Sequence, residues 1–444
     1  MNTSNEPVSL RRLFMFFIPM GLSVVLINLS HVIINGTLAR SSNEEIILAG
    51  YALGMSMLAV AERPAVLLRQ TCSALVRDRT SFQAVKKIGF FVFGSTLVFG
   101  ALIAYTPVGH LIFGTAFGAA PDVEREAIHV FYALMFLSVF SGLRCLYQGV
   151  IIYKMRTRWL TIGMLFRLIG MFVLAQYFLY VGVDSALQGA VIFLFGMMIE
   201  ALISWLEARR LLAQMPAKAD DCAVTTSKQV FGFYSPLLYS SLIVVWAMPI
   251  LNVLLGTTDR PTLAVASLAI AGSLMNLMLG FFTYFHQIAL LFFKTNPDQV
   301  RKFTLLLGFI PTILMLLMAF TPVGSWMFYH ALDVEGELLQ ASIHALRGFL
   351  PFVLVFPWLD TLNGIVMAHG ETKLMFKSQT TNAVVSTVVV IVLAILLPDW
   401  SGAIGSLALS GGLFAELALL VWLFRRAHRA PAALSEVPRL SGGA

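Results

Sequence analysis

The sequence predicts an all-α integral membrane protein of twelve transmembrane helices arranged as two parallel six-helix bundles. Three observations predict it. Of 444 residues, 58% are hydrophobic and 12% charged, about half the charge of an ordinary soluble chain. Apolar stretches of about twenty residues, the length that crosses a bilayer as a helix, recur along the chain, without the period-two alternation of barrel strands. Finally, the chain repeats itself at an offset of about 215 residues.

The first span, 13–39, follows Arg11 and Arg12 and lacks a small-residue cleavage site, so an anchor is expected rather than a removed signal peptide. The second, 46–76, is closed by Arg77, Arg79, Lys86 and Lys87, and the third, 88–105, by Thr106-Pro107-Val108-Gly109. The fourth, 127–153, starts after Asp122-Val123-Glu124; Lys154, Arg156 and Arg158 separate it from the fifth, 159–181. The sixth, 185–208, completes an N-terminal lobe, 1–208, and the polar stretch 209–229 reads as a cytoplasmic linker. The C-terminal lobe, 230–424, opens with the seventh span, 230–256, and the eighth, 263–293. The ninth, 303–320, is closed by Thr321-Pro322-Val323-Gly324. The tenth, 341–367, holds Pro351 and Pro357, which free backbone carbonyls and bend the helix. The eleventh, 376–397, and the twelfth, 402–424, precede a tail, 425–444.

The repeat rests on matches in shared order. The two Thr-Pro-Val-Gly segments align, as do Asp122-Val123-Glu124 with Asp333-Val334-Glu335, and Gln148-Gly149 and Thr157-Arg158 with Asn363-Gly364 and Thr372-Lys373. Pro19 matches Pro236, Asn35 matches Asn252, Glu200 matches Glu416 and Trp205 matches Trp422. Six spans per repeat give both halves the same orientation, which suits rocking of one half against the other about a central site.

Charge sets the topology. With both termini cytoplasmic, the inner segments hold 22 of the 30 Lys and Arg residues and the outer ones hold Arg40, Arg125 and Arg260, as the positive-inside rule requires. The net charge of +7 is therefore mostly topological, and no nucleic-acid partner is expected.

The remaining five, Arg63, Arg69, Arg144, Arg167 and Arg347, fall inside spans, where an ionised group costs about 2.5–3.5 kcal/mol even on the lenient scale. Four belong to the first half and its cytoplasmic leaflet. Arg63, Arg69, Arg144 and Arg167, with Gln148 one turn from Arg144, are candidates for a water-filled basic pocket that takes an anion through the planar fork of arginine. Against this, Arg69 and Arg167 can snorkel to the headgroups, and Arg63 or Arg144 can pair with Glu62. Asn28, His31 and Asn35 form a polar stripe on the first span, with His286 and Gln287 as candidate partners. Asp360 in the tenth span, like Glu62, is a candidate for coupling or for an ion pair. Glu200 and Glu416, being repeat-related, suggest a shared architectural pairing. Cys72, Cys145 and Cys222 encode neither a disulfide framework nor a zinc site. No HExxH, P-loop or nucleophile elbow appears, so no catalytic residue, metal or cofactor is expected.

Leu13 to Gly21 (LFMFFIPMG), Leu48 to Gly54 (LAGYALG), Arg77-Asp78-Arg79, Ser235-Pro236-Leu237, Ile250-Leu251-Asn252-Val253, Leu397-Pro398 with Gly402-Ala403, and Glu416 together resemble the superfamily of multidrug and toxic compound extrusion (MATE) transporters and lipid-linked oligosaccharide flippases. Within it the sequence is most similar to the progressive ankylosis (ANK) family. The resemblance implies a V-shaped two-lobe fold and export of anionic metabolites such as citrate, nucleoside triphosphate or pyrophosphate. Where it implies acidic residues in the first span, this chain carries Asn28 and His31. The expected function is export of a small anionic solute, or of an anionic lipid headgroup, by a monomer in the plasma or inner membrane. The alternatives are flipping of lipid-linked pyrophosphate sugars and cation-coupled multidrug efflux.

Overall fold

A computed structural model describes residues 9–41, 43–219, 224–255, 258, 260–332 and 334–429. Eleven helical segments among the described residues are long and apolar enough to cross a membrane. The chain is a multi-pass, all-helical membrane protein.

It divides into two compact units, Met1–Val245 with Leu277–Phe303, and Trp246–Asn276 with Thr304–Ala444. The first unit contains α1 (Leu10–Leu38), α2 (Glu44–Ala61), α3 (Arg63–Leu75), α4 (Arg79–Tyr105) and α5 (Val108–His110), which runs into a π-helical turn, Leu111–Ala116. It continues with α6 (Pro121–Tyr153), α7 (Arg158–Val181) and α8 (Ala186–Ala213). The chain passes between the units along α9 (Ser227–Leu255), α10 (Pro261–Gly280) and α12 (Pro297–Gly308), while α11 (Phe285–Phe292) lies wholly in the first. The second unit holds α13 (Ile310–Phe320), α14 (Pro322–Leu332), α15 (Gly336–Gly348), α16 (Leu350–Ala368), α17 (Thr372–Leu396) and α18 (Gly402–Arg429). The 29-residue α9 stands where the seventh span is expected.

Four expected spans are each two helices. The second breaks at Glu62, the ninth at Phe309 and the tenth at Phe349, while the eighth turns over residues 281–284. In the first three a proline stands two residues beyond the break, Pro64, Pro311 and Pro351. Proline has no N–H for the preceding turn and its ring crowds the carbonyl four residues back. At Glu62 the chain stays near-helical, the Ala65 N–H donating to the Glu62 carbonyl at 3.0 Å, so the axis bends rather than ends. Pro19 lies inside α1, and hydroxyls support the backbone around it. Ser23 and Thr161 donate to the Pro19 carbonyl at 2.7 and 2.8 Å, and Thr157 donates to that of Phe16 at 3.0 Å. These bonds tie α7 to α1.

In the first unit α6 is central, packed against α2, α3, α4 and α8 and burying Val130, Phe131, Leu134 and Leu137. In the second, α18 packs against α15, α16 and α17. The polar stretch after α8 docks on the start of α4, with the Arg79 N–H donating to the Pro216 carbonyl at 3.1 Å and the Ala219 N–H donating to Asp78 Oδ2 at 2.8 Å. Cys72 and Cys145 are buried free thiols, and Cys222 lies outside the described residues.

The two Thr-Pro-Val-Gly turns have the same structure. Thr106 and Thr321 end α4 and α13 in extended conformation, φ −127°, ψ 167° and φ −118°, ψ 168°. Each hydroxyl donates to the carbonyl four residues back, Leu102 or Leu317, and accepts the N–H of Val108 or Val323 at 3.3 Å. A Cβ on Gly109 would lie 2.4 Å from the Ile103 carbonyl oxygen, and one on Gly324 2.0 Å from that of Met318. Gly109→Ala and Gly324→Ala are therefore each expected to cost about 1–3 kcal/mol, read as a lower melting temperature in detergent. Unchanged melting of both variants would contradict the shared geometry.

Helices α3 and α11 meet through residues one repeat offset apart. Arg69 Nη1 donates to the Tyr284 hydroxyl at 2.6 Å, Gln70 Nε2 lies 3.2 Å from His286 Nε2, and Ser73 donates to Gln287 Oε1 at 3.2 Å. The separations are 215, 216 and 214 residues. His286 and Gln287, expected as partners of the first-span stripe, make these contacts with the polar face of α3.

Candidate functional site

A carboxylate at membrane depth needs a cation and its remaining lone pairs satisfied. Glu200 on α8 is 2% exposed. Its Oε2 lies 2.9 Å from Arg167 Nη1 and 3.2 Å from Arg144 Nη1, and Gln148 Nε2 donates to Oε1 at 2.9 Å. Three helices thus converge: α6 supplies Arg144 and Gln148 on successive turns, α7 supplies Arg167, and α8 supplies the acid. Arg167 is 1% exposed, lies over the Phe193 ring at 5.0 Å and sits 3.2 Å from Met197 Sδ. Glu62, at the α2–α3 bend, accepts from the Ser141 hydroxyl and is 3.9 Å from Arg144 Nη2.

Beside this cluster, inside the first unit, lies a cavity of about 270 Å³ walled by Arg63, Arg144, Arg167, Glu62 and His31 together with apolar side chains such as Met55, Phe193 and Met197. Three guanidiniums face two carboxylates, Glu62 and Glu200, which leaves one positive charge in excess. Nε of Arg144 and both Nε and Nη2 of Arg167 are buried without a hydrogen-bond partner. Buried donors left unmatched are costly, and a planar guanidinium matches a carboxylate or phosphate oxygen in shape and charge. Arg63 is exposed and forms no hydrogen bond or ion pair among the described residues. A second, larger cavity of about 790 Å³ shares His31 and Met55 with the first and includes Asn35 and Tyr51 in an otherwise apolar wall.

The structure brings together Arg63, Arg144, Arg167, Gln148, Glu62 and His31. His31 packs on Phe193 at 5.4 Å. Asn35 reaches only the second cavity, and Asn28, half-buried on α1, lines neither. Arg69 is directed to Tyr284, its guanidinium 5.7 Å from the ring, and does not line the cavity. Asp360 lies on α16 in the second unit. Two details of the charge reading are corrected. Arg167 does not snorkel, because Glu200 holds it inside, and the nearer partner of Arg144 is Glu200 rather than Glu62. Sequence reasoning missed Glu200 as the hub and the aromatic and thioether wall of Phe193 and Met197; the signal available was that a lone acid in an apolar span requires a cation.

The second repeat has the same joint without the charge. At the offset that aligns the halves, Arg167 corresponds to Asn382 and Glu200 to Glu416. Asn382 Nδ2 donates to Glu416 Oε2 at 2.7 Å, and Glu416 is 3% exposed. The pairing of α7 with α8 and of α17 with α18 is therefore common architecture, while the arginines belong to the first half alone.

No protein-family model and no curated protein matches the sequence. Solved structures do. A MATE transporter in the bent conformation matches at a TM-score of 0.74 and 16% identity over 95% of this chain and 96% of its own. A MOP superfamily transporter from Pyrococcus furiosus matches at 0.73 and 16%, over 95% and 98%. The outward-facing form of a multidrug resistance MATE family transporter of that superfamily matches at 0.72 and 16%, over 98% and 100%. At this identity the likeness defines the fold: that of the MATE and MOP transporters, covered end to end.

Proposed function

We propose that this chain is a secondary transporter that exports an anionic solute, an organic acid, nucleotide or pyrophosphate-like anion, by rocker-switch alternating access. Twelve spans form two parallel six-helix bundles, 1–208 and 230–424, joined by the linker 209–229, with both termini cytoplasmic in the plasma or inner membrane. The contacts between repeat-equivalent residues of α3 and α11 support a pseudo-two-fold axis at that place. The observation that carries the anion reading is the cavity of the first unit, where Arg63 has no ion pair among the described residues and Arg144 and Arg167 keep unmatched donors. No carboxylate stands on the first span to take a coupling cation there. An inside-negative potential does ~2.3 kcal/mol of work per charge per 100 mV, so a trivalent anion is driven outward by ~7 kcal/mol without a coupling ion. The ANK-like sequence features support the same substrate class. The Pyrococcus furiosus neighbour is described as having a binding pocket of reverse polarity that suggests a different function, so pocket polarity varies on this fold.

A second reading, cation-coupled multidrug efflux, is favoured by Glu62 in the cavity wall and by the multidrug resistance neighbour. Flipping of lipid-linked pyrophosphate sugars uses the same cationic chemistry. Transport into proteoliposomes under an imposed potential separates the three, with labelled citrate, ATP and pyrophosphate run against ethidium and a fluorescent lipid-linked sugar. Potential-driven movement of at least one soluble anion, without ethidium or the sugar, is expected. Ethidium or sugar movement with none of the anions would overturn the reading.

A further inference from the structure

A separate cationic cavity lies between the start of α1 and the turn joining α6 to α7. It has a volume of about 400 Å³ and its wall includes Arg12, Lys154, Arg156 and Arg158 beside the apolar Met15 and Trp159. None of the four cations forms an ion pair among the described residues; the side chain of Arg12 reaches only Met155 Sδ, at 3.6 Å. The floor is fixed, because the Thr157 hydroxyl donates to the Phe16 carbonyl and the α6–α7 turn is closed by two backbone bonds. The Met155 N–H donates to the Ile152 carbonyl and the Arg156 N–H to that of Ile151, both at 2.9 Å.

The second repeat supplies an internal control. Its equivalent turn closes with the same two bonds, Gly370 N–H to the Met367 carbonyl at 3.0 Å and Glu371 N–H to that of Val366 at 3.1 Å. There the left-handed position is Gly370, φ 78°; in the first repeat it is Met155, φ 58°, a conformation that a residue with a side chain rarely adopts. Arg156 stands where the second repeat has Glu371, and Lys154 where it has His369. The first repeat thus keeps a disfavoured backbone conformation and concentrates in one concavity four cations that form no ion pair among the described residues, whereas the second has the relaxed glycine and an acid. Backbone strain of this kind gathers at ligand sites.

The geometry points to a binding site for a phosphate-ester anion, the headgroup of an anionic phospholipid, at the membrane face where α1 begins. Phosphate chemistry follows from the four cations gathered around one concavity. A lipid source follows from the setting: Met15, 46% exposed, and the half-buried Trp159 border the cavity, and an amphipathic ring beside basic residues marks the headgroup level. The site is separate from the transport cavity and does not depend on which solute is carried.

The test is thermal stability of the purified full chain in neutral detergent, titrated with phosphatidylglycerol, phosphatidylcholine or inorganic phosphate. Phosphatidylglycerol is expected to raise the melting temperature saturably while phosphatidylcholine and inorganic phosphate do not. The double variant Arg156→Gln/Arg158→Gln should weaken the apparent affinity roughly ten-fold or more, and Lys373→Gln, at the equivalent turn, should leave it unchanged. If the double variant does not fold, Arg12→Gln is titrated in its place, and undiminished affinity there overturns the proposal. An equal response to phosphatidylcholine, or an undiminished response in the double variant, overturns it as well. Inorganic phosphate alone reproducing the shift would overturn the lipid source.

Discussion

Glu200→Ala is expected to be the most destabilising single substitution in the first unit, costing about 3–5 kcal/mol, because it leaves the Arg144 and Arg167 guanidiniums buried without their counter-charge. The acid is 2% exposed and holds both arginines at 3.2 Å or closer. Glu416→Ala, its repeat-related counterpart, removes a partner of neutral groups, Asn382 and Gln379, and should cost about 1–3 kcal/mol. Melting temperatures of the two variants in detergent read the difference directly, with the fall for Glu200→Ala at least the larger. Replacing the whole group by apolar residues, Arg144→Met, Arg167→Met and Glu200→Leu together, should restore much of the lost stability, since a buried charge cluster is often no more stabilising than well-packed hydrophobes. That triple variant should fold and fail to transport. If Glu200→Ala melts with the native protein, the ion cluster is not what holds α6, α7 and α8 together.

Arg63→Ala should have the opposite profile: near-native melting and a loss of anion affinity of roughly 10- to 100-fold, the worth of one charge-assisted hydrogen bond in a partly desolvated site. Arg63 is exposed in the cavity wall and bonded to nothing among the described residues, so removing it strands no partner. Arg63→Lys keeps the charge without the planar fork and should recover only part of the affinity. Titration of labelled pyrophosphate against the three proteins checks this, and equal affinity in all three would remove Arg63 from the site.

Hydropathy showed the spans because a bilayer leaves the backbone few alternatives, and the positions of α1, α4, α6, α7 and α8 follow it closely. The bends were less legible. Pro311 sits within an unbroken apolar window and Pro64 follows the charged Glu62-Arg63 pair inside the expected second span, and composition cannot say whether a proline kinks a helix or starts a new one. The Thr-Pro-Val-Gly pair was the most reliable sequence signal, since a glycine forced by a neighbouring carbonyl repeats along with its turn. In the candidate site, intramembrane arginines were visible at once, but depth along a span says nothing about rotation around it. Arg167 and Arg69, similar by that count, have different partners, Glu200 and Tyr284. The Glu200 hub joins residues 33 to 56 positions apart on three helices, and no local pattern encodes that convergence. The match of Glu200 with Glu416 pointed to architecture and not to the arginines that make the first half different.

The central claim, that the arginine cavity of the first unit selects anions, is tested most directly by equilibrium binding to the purified protein. Labelled citrate, ATP, pyrophosphate and ethidium would be titrated against the native chain and Arg63→Ala. The account predicts saturable binding of at least one anion, weakened in Arg63→Ala, and no competition from ethidium. Ethidium binding in the absence of any anion binding, or anion binding indifferent to Arg63, would contradict it.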